Sequence, residues 1–298
     1  MRMKSRTTAL LISLPVAALL GLLRLLPRRG VRALGRGCGR LIHRIDKKRR
    51  RLAVANLTTA FGSSLSEEEK EAIIRRAFLH FGTVLFDFFH LAYLTPKKRD
   101  RHLRLEGEEN LHAALKQGQG VLFFTAHFGL WEIAPAPINP IIPMKVVARP
   151  LDNVYLEKIL CRMRGRLGSE VISKFQASRE ILRTLRARES VAILIDQNVQ
   201  VQEAVFVDFF GKPAATTPSL AMFHLRTGAP IVPAFCSPSS SRVYHVRILP
   251  PVEVERTGDR EEDVARITEA CTKIIEDQVR RAPEQWLWFH DRWKTRPG

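Results

Sequence analysis

From Leu103 onward, short apolar runs rich in β-branched and aromatic residues alternate with segments of helical spacing, and this alternation limits the fold more than any other feature. Residues 120–126, 144–148, 191–195, 231–236 and 242–249 read as strands. Helices are expected from about Leu130, from Asp152, from Pro218 and over residues 261–281. Strands joined through helix-length segments become parallel neighbours, because a parallel pair needs a long crossover connection. The expectation is an α/β fold with a mixed, mainly parallel sheet flanked by helices. A chain of 298 residues, 45% hydrophobic, is long enough to bury a full-sized core.

The net charge of +18 is concentrated at one end: residues 1–51 hold fifteen Lys or Arg against the single acid Asp46. The same segment contains an uncharged run over residues 9–23, closed by Arg24. Fifteen residues fall short of the roughly 20 that a perpendicular span needs. No small-residue cleavage site follows, only Pro27-Arg28-Arg29. The segment reads as an uncleaved membrane anchor, interfacial or shallowly inserted, with its basic residues against anionic headgroups on the cytoplasmic side. The competing reading, nucleic acid, lacks aromatic residues interleaved with the basic ones for base stacking, so no nucleic acid partner is expected.

Three regions follow: a basic, hydrophobic anchor over 1–51, a helical segment over 52–102, and an α/β core over 103–298 that ends in an aromatic and basic tail. Residues 52–61 and 67–94 have helical spacing, and Ser66 with Glu69 forms a capping box. Asp87 and His90 read as a polar edge beside the stripe Ile73, Ala77, Phe81, Val84, Leu85, Phe88, Phe89.

The strand over 120–126 runs into His127-Phe128-Gly129-Leu130-Trp131-Glu132. Ligands of open α/β sheets bind beyond the carboxyl ends of the strands, so His127 stands where chemistry is favoured. Positions five apart share no face of one regular helix. His127 and Glu132 can meet only if His127 lies in a turn, Gly129 bends the backbone and Glu132 projects from the first helical turn. The pair is then either a base with its orienting carboxylate or a half-buried His beside an ordinary surface Glu. No G-x-S-x-G elbow, Walker A loop or H-E-x-x-H occurs, and Gly35-Arg36-Gly37-Cys38-Gly39 precedes no strand-turn-helix unit. Cys38, Cys161, Cys236 and Cys271 form no metal-ligand spacing and no disulfide framework, so no metal site is expected.

The His127–Glu132 stretch resembles the H-x4-D/E motif of the glycerolipid acyltransferases, in the HFGNWE form of the bacterial lipid A secondary (lauroyl/myristoyl) acyltransferases. Ala148-Arg149-Pro150-Leu151-Asp152-Asn153, Ile195-Asp196-Gln197, Phe209-Phe210-Gly211-Lys212-Pro213-Ala214-Ala215-Thr216 and Pro283-Glu284-Gln285-Trp286-Leu287-Trp288 through Arg296-Pro297 resemble that family's later blocks, in its order. The departure is Leu130, where the family commonly carries Asn.

The resemblance implies a glycerolipid acyltransferase-like fold and an enzyme at the cytoplasmic face of a bacterial inner membrane. It moves a fatty acyl chain from an acyl carrier protein thioester to a hydroxyl of a lipid A precursor, without cofactor. Leu130 keeps open another lipid acceptor: a lysophospholipid, aminolipid or glycolipid. His127 is then the base oriented by Glu132, with backbone amides at the start of the helix after His127, or Arg149 at the end of the next strand, facing the developing oxyanion. Arg149 equally suits an acceptor phosphate or a salt bridge to Asp152, the expected N-cap of the next helix. Asp196 and Gln197 either bind acceptor hydroxyls, orient Arg149 or tie down a loop. Arg162, Arg164 and Arg166 read as a docking patch for the carrier protein or lipid phosphates, or as a solvated face. Phe206, Phe209 and Phe210 suggest an acyl-chain wall or plain core. Trp286, Trp288 and Trp293 with Arg292, Lys294 and Arg296 suggest an interfacial patch.

Overall fold

A computed structural model describes residues 6–239 and 242–297, so the first five residues of the expected anchor and Gly298 at the end of the expected core lie outside the described residues. Among the described residues, nine strands form: β1 (Leu103–Glu106), β2 (Val121–Thr125), β3 (Met144–Ala148), β4 (Glu170–Ser173), β5 (Ser190–Leu194), β6 (Val205–Asp208), β7 (Pro213–Thr216), β8 (Ile231–Pro238) and β9 (Tyr244–Ile248). Seven of them form one sheet in the order β1-β9-β8-β2-β5-β3-β4. β2 pairs parallel with both β5 and β8, and β3 pairs parallel with β5 and β4. Only the β8–β9 pairing is antiparallel, so β9 and β1 run against the rest. The expected mixed, mainly parallel sheet with flanking helices is what forms.

β2 is buried at all five positions, as a central strand covered on both faces requires. The sequence reading missed the edge strands β1 and β4, the separate antiparallel hairpin β6–β7, and the helices Glu108–Leu115 and Ala177–Arg186. The helix expected from Leu130 is broken into a 3-10 turn, Trp131–Ile133, and one helical turn, Pro135–Ile138. Pro135 and Pro137 supply no amide hydrogens to a longer ladder.

Among the described residues, the long helices before the sheet are α1 (Arg6–Leu25), α2 (Arg28–Ile45), α3 (Lys47–Phe61) and α4 (Glu67–Tyr93). Ser66 and Glu69 form the expected capping box at the start of α4. α1 is longer than its uncharged run, and is long and apolar enough to cross a membrane. Its Ala9, Ser13, Leu20 and Leu23 are buried against the body, while Leu11 and Leu25 are 64% and 83% exposed. Asn153 caps the helix Val154–Arg166 in place of the expected Asp152, and its amide also donates to Ala9 O at 3.0 Å.

α2 crosses α4 at backbone contact. A Cβ on Gly39 would stand 2.2 Å from Phe78 O, one on Gly35 2.5 Å from Gly82 O, and one on Gly82 2.3 Å from Gly35 O. Gly35 and Gly39, which suit no dinucleotide site, therefore serve close helix approach. The crossing is locked by Asp87, which the structure buries completely rather than leaving on a polar edge. Asp87 accepts from Arg28 at 2.8 Å, Arg32 at 2.5 Å and the Tyr244 hydroxyl at 2.7 Å. His90 is buried too, its Nδ1 3.1 Å from Leu23 O.

Replacing Gly39 by Ala forces α2 off α4 and is expected to lower stability by about 1–3 kcal/mol, the usual cost of overpacking. Gly37, whose Cβ would meet nothing within 4 Å, is the internal control. Gly37→Ala is expected to hold or raise the midpoint of thermal unfolding in detergent, since Ala is the better helix former, and equal midpoints for the two variants would contradict the crossing.

Candidate active site

His127 follows the carboxyl end of β2, and Asp196 follows the end of the adjacent parallel strand β5, so the sheet brings residues 69 apart in sequence into contact. Asp196 Oδ1 lies 2.8 Å from His127 Nδ1, and Asp196 Oδ2 accepts the His127 backbone N–H at 2.8 Å. The Trp286 indole donates to the same Oδ2 at 2.8 Å. A carboxylate that accepts from Nδ1 fixes the ring with its proton there, leaving Nε2 as the free base position. Nε2 faces the Gln197 amide nitrogen at 3.4 Å.

The turn after His127 is held from two sides. Gly129 has φ +59°, and a Cβ there would fall 1.8 Å from Cys236 O. Gly129 N donates to Gln285 O at 2.9 Å, Leu130 N to Cys236 O at 2.8 Å, and Leu287 N to His127 O at 3.1 Å. β8 and the C-terminal tail thus clamp the turn, which is why glycine is required at Gly129.

The carboxylate on His127 is Asp196, and not Glu132 as the spacing suggested. Glu132 sits in the 3-10 turn and projects onto the helix Val154–Arg166, where Arg164 binds it through Nε at 2.9 Å and Nη2 at 2.5 Å. A bidentate fork on a carboxylate is a stronger attraction than a single imidazole bond. Burial pushes the His127 pKa down, but the charge and hydrogen bond of Asp196 and the charge of Glu132 outweigh it, and the net shift is upward. Burial pushes Asp196 up, and the charge and hydrogen bonds of His127 with the Trp286 bond bring it below the ordinary carboxylate value.

The catalytic side of the sheet opens on a cavity of about 930 Å³ lined by His127, Glu132, Arg149, Arg164, Gln197 and His290 among others. Among the described residues, two buried polar atoms of its lining side chains, Thr125 Oγ1 and Arg164 Nη1, have no hydrogen-bond partner. The three arginines expected to form one docking patch are separated. Arg164 faces this cavity, Arg162 is exposed, and Arg166 turns away to Ala92 O and Tyr93 O. Arg149 is exposed at the end of β3, with Asp152 at 3.6 Å. Before the turn that begins at Trp131, the backbone amides of positions 127 to 130 are already spent, those of Phe128 and Leu130 donating to Ala126 O and Cys236 O.

A second, apolar pocket of about 410 Å³ adjoins the cavity and shares Trp131 and Glu132 with it. Val16 and Leu20 of α1, Phe88 of α4, Ile159 and Leu130 help to line it. Leu130, the departure from the HFGNWE form, is therefore apolar where its surroundings are apolar. Phe209 and Phe210 line neither space. They are buried with Trp286 and Trp288, ring centroids of Phe209 and Trp286 standing 5.5 Å apart. The expected interfacial patch of the tail is likewise corrected: Trp286, Trp288 and Arg292 belong to the core, where Arg292 holds Ala215 O at 2.7 Å.

The chain matches the family model described as bacterial lipid A biosynthesis acyltransferase over residues 2–295. It is 30% identical to the lipid A biosynthesis palmitoleoyltransferase of Escherichia coli (strain K12) over 267 residues, 89% of this chain and 85% of that protein. It is 28% identical to the lipid A biosynthesis lauroyltransferase of the same organism over 275 residues, 91% and 88% of the two chains. With the lipid A biosynthesis myristoyltransferase of that strain the identity is 26% over 264 residues, 87% of this chain and 80% of the relative.

Asp196→Asn keeps the shape but removes the charge that holds the His127 tautomer and stabilises its imidazolium. The expected result is a fall in kcat of roughly 10²–10⁴. Because the carboxylate raises the His127 pKa, activity should rise with pH through that raised value, and the acidic limb of the variant's pH–rate profile should move to lower pH. An unshifted limb would show that Asp196 does not face the catalytic base.

Proposed function

This chain belongs to the bacterial lipid A biosynthesis acyltransferase family, and we propose that it transfers a fatty acyl chain from an acyl carrier protein thioester to a hydroxyl of a lipid A precursor. The observation that carries this reading is the His127–Asp196 pair, its Nε2 free at a polar cavity that adjoins an apolar pocket. His127 takes the proton of the acceptor hydroxyl as the oxygen attacks the thioester carbonyl. Asp196 orients the ring and stabilises the imidazolium, which then returns its proton to the departing thiolate. Arg164, fixed by Glu132 in the cavity wall, supplies positive charge toward the carbonyl or an acceptor phosphate, a role the sequence reading gave to Arg149. No cofactor enters this chemistry.

The acyl chain lies in the apolar pocket, with its thioester end toward Trp131 and Glu132. One wall of that pocket is α1, whose outer face carries exposed leucines. The helix lies along the body, with its outward leucines in the bilayer and the basic residues beyond Arg28 at the cytoplasmic headgroups. The acceptor lipid then reaches His127 without leaving the membrane.

Purified enzyme, carrier-bound acyl chains and a panel of lipid acceptors, with products read by mass spectrometry, test the assignment. Acylated lipid A precursor is expected, and it should disappear with His127→Ala. Transfer only to a lysophospholipid, aminolipid or glycolipid would overturn the acceptor, and full activity of His127→Ala would overturn the mechanism. Leu11→Glu with Leu22→Glu should release the protein from anionic vesicles in a flotation assay while Asp87 keeps its partners. Deleting residues 1–51 would instead strand Asp87 inside the fold.

A further inference from the structure

A second histidine lines the catalytic cavity. His290, in the C-terminal tail, accepts the backbone N–H of Asn198 through Nε2 at 2.9 Å. A backbone amide only donates, so Nε2 carries the lone pair and the neutral ring carries its proton on Nδ1. That Nδ1–H has no hydrogen-bond partner among the described residues. The ring is also held in place. His290 O accepts from the Asn56 amide at 2.7 Å, and Asn198 exchanges bonds with Thr295, from Nδ2 to Oγ1 at 2.9 Å and from Thr295 N to Oδ1 at 3.0 Å.

We propose that His290 is a further catalytic residue, a neutral imidazole whose Nδ1–H donates to the carbonyl oxygen of the acyl group as charge develops on it beside His127. The proposal rests on the reading of His127 as the base. As the acceptor O–H gives its proton to His127 Nε2, the new C–O bond forms and the carbonyl electron pair moves onto oxygen. His290 binds that oxyanion without giving up its proton. Collapse restores the carbonyl, breaks the C–S bond, and the leaving sulfur takes the proton from His127.

Three observations favour a donor of this kind. The amides of residues 127 to 130, which follow the end of β2, are consumed within the fold. A neutral donor does not hold the charged species so tightly as to trap it, and a preorganised one needs no rearrangement at the moment of reaction. The third is that the surroundings of His290 favour its neutral form. Burial lowers its pKa first; His127 and Arg292 lower it further, against the opposing charges of Asp196 and Asp291. Protonation would also set two donors, Nε2–H and the Asn198 amide, against each other. The imidazolium formed at His127 during the reaction reinforces this, so the two histidines divide the work into one base and one donor.

The test uses the full-length enzyme in detergent micelles, labelled with ¹⁵N-histidine. Long-range ¹H–¹⁵N spectra should show one ring in the Nδ1–H form that does not titrate near the ordinary histidine value of about 6.5, and that signal should vanish in His290→Gln. His290→Gln keeps an acceptor for the Asn198 amide but no donor at the Nδ1 position, and His290→Phe keeps neither. Both should lose roughly 10²–10³ in kcat with KM little changed. His290→Asn, whose side-chain amide sits near the Nδ1 position, should recover a large part of the rate. The proposal falls if His290→Gln, folded by its unfolding midpoint, keeps wild-type kcat, if the loss lies in KM alone, or if the ring titrates as an ordinary histidine. Activity surviving in His127→Ala but lost in His290→Gln would sink the base reading and leave this one standing.

Discussion

A buried carboxylate with three donors holds the functional end of this molecule together. Asp196 accepts from the His127 backbone, the His127 ring and the Trp286 indole, so one side chain joins the ends of β2 and β5 to the C-terminal tail. An ionised carboxylate taken out of water is costly unless its oxygens are satisfied. Here the groups that satisfy it are the groups that chemistry needs in place. The tail closes the loop in return: Gln285 and Leu287 bond the turn around His127, and Trp286 packs against Phe209 and Trp288 beneath it. Catalytic geometry and tertiary closure are therefore one set of contacts.

α4 plays the corresponding part for the N-terminal helices. Its inner residues enter both large apolar clusters, Ile74 and Phe78 in one and Phe88 and Leu91 in the other. Its outer side receives α2 through glycine contacts too close for any side chain, and Asp87 neutralises the two arginines that the crossing brings inside. The tyrosine that completes this cluster comes from β9, so α2 is tied through Asp87 to the sheet itself. A helix pair that reads as a basic appendage by composition is in this way built into the body, and α1 is carried with it to the wall of the apolar pocket.

What was legible in the sequence was local. Strand runs such as 144–148 and the Ser66–Glu69 capping box depend on residues close together, and they form as the patterns imply. His127 was legible because strand ends of parallel sheets face the ligand side. Its partner was not, because Asp196 reaches it across a strand pairing whose order no local pattern states. The same reason explains Arg164, whose i,i+2 basic neighbours suggested a surface patch until the helix axis sent each side chain to a different place. The aromatic and basic tail misled in the opposite sense, since Trp and Arg suit both a headgroup layer and a hydrogen-bonded core. One signal was available and unused: Gly35 and Gly39 four apart on a helix, with Gly82 on another, mark a close crossing.

The separation of the two acids has a chemical consequence. Two carboxylates bonded directly to one imidazole would hold its proton too firmly for a base that must be free near neutral pH. The fold assigns only Asp196 to the ring and gives Glu132 a guanidinium, so Glu132 acts on His127 through space and more weakly than Asp196 does. The same pairing fixes Arg164 in the cavity wall, with its Nη1 buried and without a hydrogen-bond partner among the described residues. On the mechanism proposed for His127, the five-residue spacing joins a base to an arginine holder rather than to its orienting acid. The single bent glycine between them lets both point into one space.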